Sequence, residues 1–138
     1  MTTKAPRNTG KDSEDIFEAT VEAAGGFADR LSDMFDASKS KMVSTRKPSD
    51  FIVSVNGETF YAEVKSISEK DRFNFQDIQP AQWRSATRAT KAGGKYFFFL
   101  HFKAFNRWFK VPAAVILNSE KKSITMREVE GMEVFFPA

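Results

Sequence analysis

Two carboxylates and an ammonium come together if "KPSDFIVSVNGETFYAEVKSI", Lys47 to Ile67, folds back on itself. Asn56-Gly57 separates two runs that alternate apolar and polar residues. That dipeptide is a strong hairpin signal, because a two-residue type I′ turn needs positive φ at both central positions. With those two residues as the loop, Val55 pairs with Glu58 and Asp50 falls opposite Glu63. The two-residue period of a strand then puts Phe51, Val53, Val55, Phe60, Ala62 and Val64 on one face, which reads as core. Asp50, Ser54, Thr59, Glu63 and Lys65 share the other face with Ile52 and Tyr61. Like charges facing one another across a sheet are destabilising, and a chain keeps such a pair most readily where a cation lies between them. The hairpin reads as half of a metal site.

Composition narrows the ion. Cysteine is absent and there is one histidine, which excludes disulfides, thiolate sites and multi-histidine zinc arrangements. A metal must then be held by carboxylate and carbonyl oxygens, a donor set suited to Mg²⁺ or Mn²⁺. Fifteen phenylalanines and 41% hydrophobic residues in 138 positions argue for a packed globule rather than a disordered chain. The net charge of +3 is a mild pointer to polyanion binding. No apolar run approaches bilayer length, and "MTTKAPRNTGKDSED" lacks the apolar core of a signal peptide, so a cytoplasmic protein with no membrane partner is expected.

These residues need a scaffold. Residues 1–10 are polar and expected to form a mobile tail, and residues 11–138 a single domain. "DSEDIFEATVEAA", Asp12 to Ala24, predicts a helix with early acids that stops at Gly25-Gly26. Phe17, Val21 and Ala24 form its inward stripe, with Glu14 at the same spacing and Glu18 as the competing carboxylate. Phe27, Leu31, Met34 and Phe35 have helical spacing and predict a second short helix. Asp36 to Ser49 reads as a basic, Ser-rich loop carrying Lys39, Lys41, Arg46 and Lys47, and "SEKDRFNFQDIQ" as another loop. Pro80 opens a helix that ends before Gly93-Gly94. On that helix Arg84, Arg88 and Lys91 recur at i, i+4, i+7, either a solvated face or a row of phosphate contacts. "YFFFLHF" is apolar on both faces, as a covered central strand would be. His101 inside it reads as a satisfied core histidine. "RWFKVPA" predicts an adjacent strand, "AAVIL" a short helix or turn, and "MEVFF" a last edge strand. The order gives an α/β fold, a mixed central sheet flanked by helices.

"PSD", a dozen residues, then "EVK" resembles the motif of the PD-(D/E)xK nuclease superfamily. Within it, "NTGKDSED" resembles the N-terminal signature of RecU-type Holliday-junction resolvases, and "SDFIVSVNGETFYAEVK" their central hairpin. "RFNFQDIQPAQ" followed by "GGKYFFFLHF" resembles their site helix and buried strand. The similarity runs in order from Asn8 to about Pro112. It departs in two places: the family's long stalk has only Asp36 to Ser49 to match it, and its His-Gln pair reads Ala81-Gln82.

The resemblance implies a restriction-endonuclease-like fold and metal-dependent hydrolysis of DNA phosphodiesters. Asp50, Glu63 and the main-chain carbonyl of Val64 would hold Mg²⁺, with Mn²⁺ able to substitute, and Glu14 would complete the shell. Lys65 would orient the attacking water, and Gln82 would contact the scissile phosphate or that water. Lys39, Lys41, Arg46, Lys47, Arg84, Arg88 and Lys91 would grip DNA, and Phe73 or Phe75 could stack on a base at a junction. The expected activity is paired nicking of four-way junctions in DNA recombination and repair, by a homodimer with two sites. A non-catalytic DNA-binding accessory module, and a repair or restriction nuclease on linear or flapped duplex, stand as alternatives.

Overall fold

The computed structural model describes residues 9–31, 34–36, 41–43 and 47–135. The chain runs α1 (Thr9–Ala23), β1 (Phe27–Arg30), β2 (Met34–Asp36), β3 (Lys41–Val43), β4 (Phe51–Val55), β5 (Glu58–Ile67) and β6 (Arg72–Asn74). A single 3-10 turn (Phe75–Asp77) leads to α2 (Pro80–Lys91). There follow β7 (Tyr96–Phe102), β8 (Arg107–Pro112), α3 (Ala113–Leu117), β9 (Ser123–Thr125), a second 3-10 segment (Met126–Met132) and β10 (Glu133–Val134). Six strands form one sheet in the order β1-β4-β5-β7-β8-β10, and β2-β3 and β6-β9 form two-stranded ribbons. Within the six-stranded sheet β5 and β7 pair in parallel, and the other neighbours are antiparallel.

The hairpin has the register that its turn dictates. Asn56 (φ 52°) and Gly57 (φ 76°) both take positive φ, and Val55 pairs with Glu58 and Phe51 with Ala62. Phe51, Val53, Phe60, Ala62 and Val64 are buried under α1, where Phe17 lies with its ring 4.6 Å from Phe99 and 5.2 Å from Phe51. The opposite face of the sheet carries the larger core, in which Tyr96, Phe98, Leu100 and Phe102 of β7 pack with Ala86 of α2 and Ile116 of α3. β7 is therefore covered on both sides, which is why its sequence shows no alternation.

Four expectations change. The predicted second helix does not form: Phe27–Arg30 is a strand antiparallel to β4, and Met34–Asp36 pairs with Lys41–Val43. Phe27 points outward while Ala28 is buried, so the pairing offered by the edge of β4 overrides a helical spacing that only four side chains carry. The basic loop thus contains one strand of a ribbon, with Lys41 on β3 opposite Asp36; Lys39 and Arg46 lie outside the described residues. The loop after β5 holds β6 and a 3-10 turn, because Phe73 is buried and β6 finds β9 as a partner. α1 begins at Thr9 and takes in Gly10, and its inward stripe is Ser13, Phe17 and Val21. Ala24 is exposed in the turn that follows. Residues 1–8, the rest of the expected tail, lie outside the described residues.

Candidate active site

β5 runs past the end of β4. Phe51 opposite Ala62 is the last β4–β5 pair, so Glu63 to Ile67 have no β4 partner. Asp50 fills the first place beyond the ladder, and its Oδ2 accepts the Val64 N–H at 2.8 Å. Its own carbonyl accepts the Leu31 N–H at 2.8 Å, and the neighbouring Ser49 hydroxyl donates to the Phe51 carbonyl at 2.7 Å. The Tyr96 hydroxyl fixes the approach to this corner by donating to the Pro48 carbonyl at 2.6 Å. Main-chain and side-chain bonds thus hold Asp50 where the sheet stops.

Glu63 is 2% exposed. Its Oε2 accepts from Gln82 Nε2 at 2.7 Å, while its Oε1 is buried with no hydrogen-bond partner among the described residues. Burial, and after it the charge of Asp50, pushes the Glu63 carboxyl from 4.5 up to about 8. Lys65 Nζ lies 3.8 Å from Glu63 and donates to Gln82 Oε1 at 2.8 Å and to the Asp77 carbonyl at 3.0 Å. Gln82 Oε1 also accepts the Gln79 N–H, at 2.9 Å. Two donors on that oxygen fix the amide orientation and aim its nitrogen at Glu63. Pro80 at the first position of α2 makes the helix begin here, and so delivers Gln82 to the cleft.

Glu14 reaches the same cleft from α1. Asp50, Glu63, Val64, Lys65 and Gln82 line with it a cavity of about 310 Å³. Burial, and then Asp50, raises the Glu14 carboxyl above its usual range, partly offset by Arg30. Glu18 does not line the cavity. It pairs with Arg30 Nη2 at 2.8 Å, and the same guanidinium holds Glu14 through Nη1 at 2.9 Å. Lys47 Nζ donates to the Leu31 carbonyl at 3.2 Å and stands 3.6 Å from Asp50 Oδ1. It borders the carboxylates at the rim of the cleft. Arg84, Arg88 and Lys91 lie along α2 on its solvent side. Phe73 is core and unable to reach a base, whereas Phe75 is only partly buried.

The donor set suits a hard divalent cation. The carboxylates of Asp50, Glu63 and Glu14 share one cleft, and one buried oxygen lacks any donor among the described residues, so a cation would relieve both the like-charge repulsion and the orphaned acceptor. Among the described residues no three acidic or histidine side chains close on a common point. An ion here would take Asp50, Glu63 and the Val64 carbonyl and complete its shell with water and phosphate oxygens.

Sequence reasoning missed Arg30, Tyr96 and Ser13. Arg30 lies on the strand expected to be helix, and Tyr96 is an aromatic in an apolar run with no visible mark of its hydroxyl's task. Ser13 is buried, and its hydroxyl meets His101 Nδ1 at 2.8 Å. His101 Nε2 lies 2.9 Å from Asn106 Oδ1, and the ring stacks on Trp108 at 4.2 Å. His101 is the satisfied core histidine expected, and it ties α1 to the central strand one residue from Glu14.

The chain resembles a solved structure of Hjc, a Holliday junction resolvase from the archaeal hyperthermophile Archaeoglobus fulgidus. The two share 16% identity over 88% of this chain and 92% of that one, with a TM-score of 0.64. No curated protein matches the chain. The family model of recombination protein U, RecU, matches residues 32–136, from the ribbon before the hairpin to beyond the last strand. The chain belongs to the RecU family.

Proposed function

We propose that this protein resolves four-way DNA junctions by paired Mg²⁺-dependent nicking, with Asp50, Glu63, Lys65, Glu14 and Gln82 as its active-site residues. As a member of the RecU family it is an endonuclease that acts on branched DNA and uses a divalent metal. The observation that carries the residue assignment is the buried Glu63 Oε1, without a hydrogen-bond partner among the described residues, beside Asp50 at the end of β4.

Asp50, Glu63 and the Val64 carbonyl would hold the ion. When bound, Mg²⁺ supplies a Lewis acid for the scissile phosphate and lowers the pKa of an attacking water. Lys65, anchored by the Asp77 carbonyl and Gln82 Oε1, presents its ammonium to the cleft, where it orients that water and offsets charge growing on the phosphate. Gln82 keeps Glu63 turned inward. Glu14, shared with Arg30, supplies a carboxylate from the opposite wall. Arg84, Arg88 and Lys91, together with Lys39, Lys41, Arg46 and Lys47, serve as phosphate contacts that position DNA without reading sequence. Residues from α1 onward act as one nuclease domain, two copies of which make a C₂ dimer with two sites for two symmetric cuts. Among the described residues no helix is long and apolar enough to cross a membrane; work on DNA supports a cytoplasmic location.

The test compares a mobile four-way junction, a flap and a linear duplex at equal concentration and salt, with Mg²⁺, Mn²⁺ or EDTA. The junction should be nicked in opposing strands into ligatable duplexes while the linear duplex survives. Glu63→Gln should abolish cleavage with junction affinity within a few-fold, because the basic surface supplies binding. Full activity in Glu63→Gln would refute the metal-site assignment, and equal cleavage of all three substrates by a monomer would refute junction resolution.

A further inference from the structure

A second concavity lies apart from the active-site cleft. It is an open groove of about 1020 Å³ on the other side of α2. Four cations, Arg84, Arg88, Lys121 and Lys122, stand on its walls, and Phe75 and Trp83 supply aromatic surface within it. Among the described residues no carboxylate lines it. Lys121 is paired with Glu128 at 2.7 Å, whereas Arg84, Arg88 and Lys122 form no ion pair with any described residue. Trp83 and Phe75 are partly buried against the larger core, so their rings are held in place rather than free to collapse.

The groove and the cleft share their dividing wall. Gln82 faces the cleft and Trp83, the next residue, faces the groove. Asp77 lines the cleft, with its carbonyl holding Lys65, while Gln76 and Ile78 on either side of it line the groove. A strand leaving the cleft across the N-terminus of α2 therefore meets Trp83 first and the four cations next.

We infer that this groove holds a short unpaired DNA strand at the branch point, bases against Trp83 and Phe75 and phosphates against Arg84, Arg88, Lys121 and Lys122. A positive groove with aromatic side chains is the chemistry of single-strand binding, because an unpaired base offers its π-face where a base inside a duplex does not. A duplex arm would use the cations and leave the rings idle. The volume accommodates about two or three nucleotides. The inference rests on the nuclease reading for its place in the reaction, and is measured apart from it.

The probe is a short fluorescent oligothymidylate in EDTA, where no cleavage occurs, followed by anisotropy and by tryptophan emission. Trp108, the other tryptophan, is 2% exposed and stacked on His101, so a change in emission reports Trp83. Trp83→Leu should weaken binding about tenfold and Trp83→Phe should restore most of it. Lys121→Ala with Lys122→Ala, on an exposed turn, should reduce the salt-dependence slope by about 0.7 for each phosphate that no longer meets a cation. Wild-type affinity and slope in these variants, in a protein that cleaves junctions, would overturn the groove while leaving the nuclease intact. Oligothymidylate binding without any cleavage in Mg²⁺ would leave the groove standing and remove the nuclease reading. A Trp83→Leu protein that changes from dimer to monomer would show the groove to be covered by a second copy, and would also overturn the inference.

Discussion

Metal binding should expel a proton, and Glu63 sets how much. Its carboxyl is raised from 4.5 to about 8 by burial and by Asp50, so at neutral pH it is about nine-tenths protonated in the metal-free protein. A hard cation takes the carboxylate and not the acid. Uptake of Mg²⁺ near pH 7 should then release about 0.9 proton per ion, and apparent affinity should rise about tenfold per pH unit up to about pH 8, then flatten. The stability of the metal-free protein has the opposite trend. The folded chain keeps a proton that the unfolded chain has lost above its ordinary value of 4.5, so this contribution is complete below that value and disappears as pH rises through about 8. Glu63→Gln, which cannot ionise, should raise the melting temperature of the metal-free protein at alkaline pH and leave it nearly unchanged at acidic pH. Calorimetric titration in buffers of different ionisation enthalpy gives the proton count directly. Release of less than about 0.2 proton near pH 7, or the same release from Glu63→Gln, would refute the reasoning.

Two further outcomes test the scaffold. A Cβ on Gly26 would lie 2.7 Å from Val55 Cβ, 2.9 Å from the Ser54 carbonyl oxygen and 2.9 Å from Val21 Cγ1. Gly26→Ala should therefore cost about 1–3 kcal/mol, read as an earlier midpoint in urea. Deleting Ser38 to Val43 removes β3 of the ribbon and should lower the ratio of junction to linear-duplex cleavage while basal nicking persists; an unchanged ratio would free the ribbon of any part in gripping junctions.

The hairpin was legible because two local rules, the Asn56-Gly57 turn and strict alternation, act on the same residues and admit one register. Asp50 and Glu63 followed from that register alone, Glu14 from its spacing on the inward stripe of the first helix, and Gln82 from resemblance. The strand Phe27–Arg30 was not legible. Four residues are too few to show a period, and its only reason to be extended is the exposed edge of β4, which the local sequence does not contain. The supports of the site were hidden for a related cause. Tyr96 and Pro48 are 48 residues apart and Ser13 and His101 are 88 apart, so no local pattern couples them. The turn into β4 folds Lys47 back beside Asp50, a placement that its basic neighbours in the sequence do not reveal.

The two-residue turn at Asn56-Gly57 has a consequence for how the motif can drift. Asp50 and Glu63 sit thirteen positions apart because each rung of the ladder below the turn adds one residue on either side. Lengthening or shortening the hairpin by whole rungs changes that interval in steps of two and returns both carboxylates to the cleft. A single inserted residue in β5 instead turns Glu63 and Lys65 toward Phe17 and brings two apolar side chains out in their place. The hairpin is a spacer of adjustable length and fixed parity, so the gap between the two acids is free to vary by even steps and is closed to odd ones.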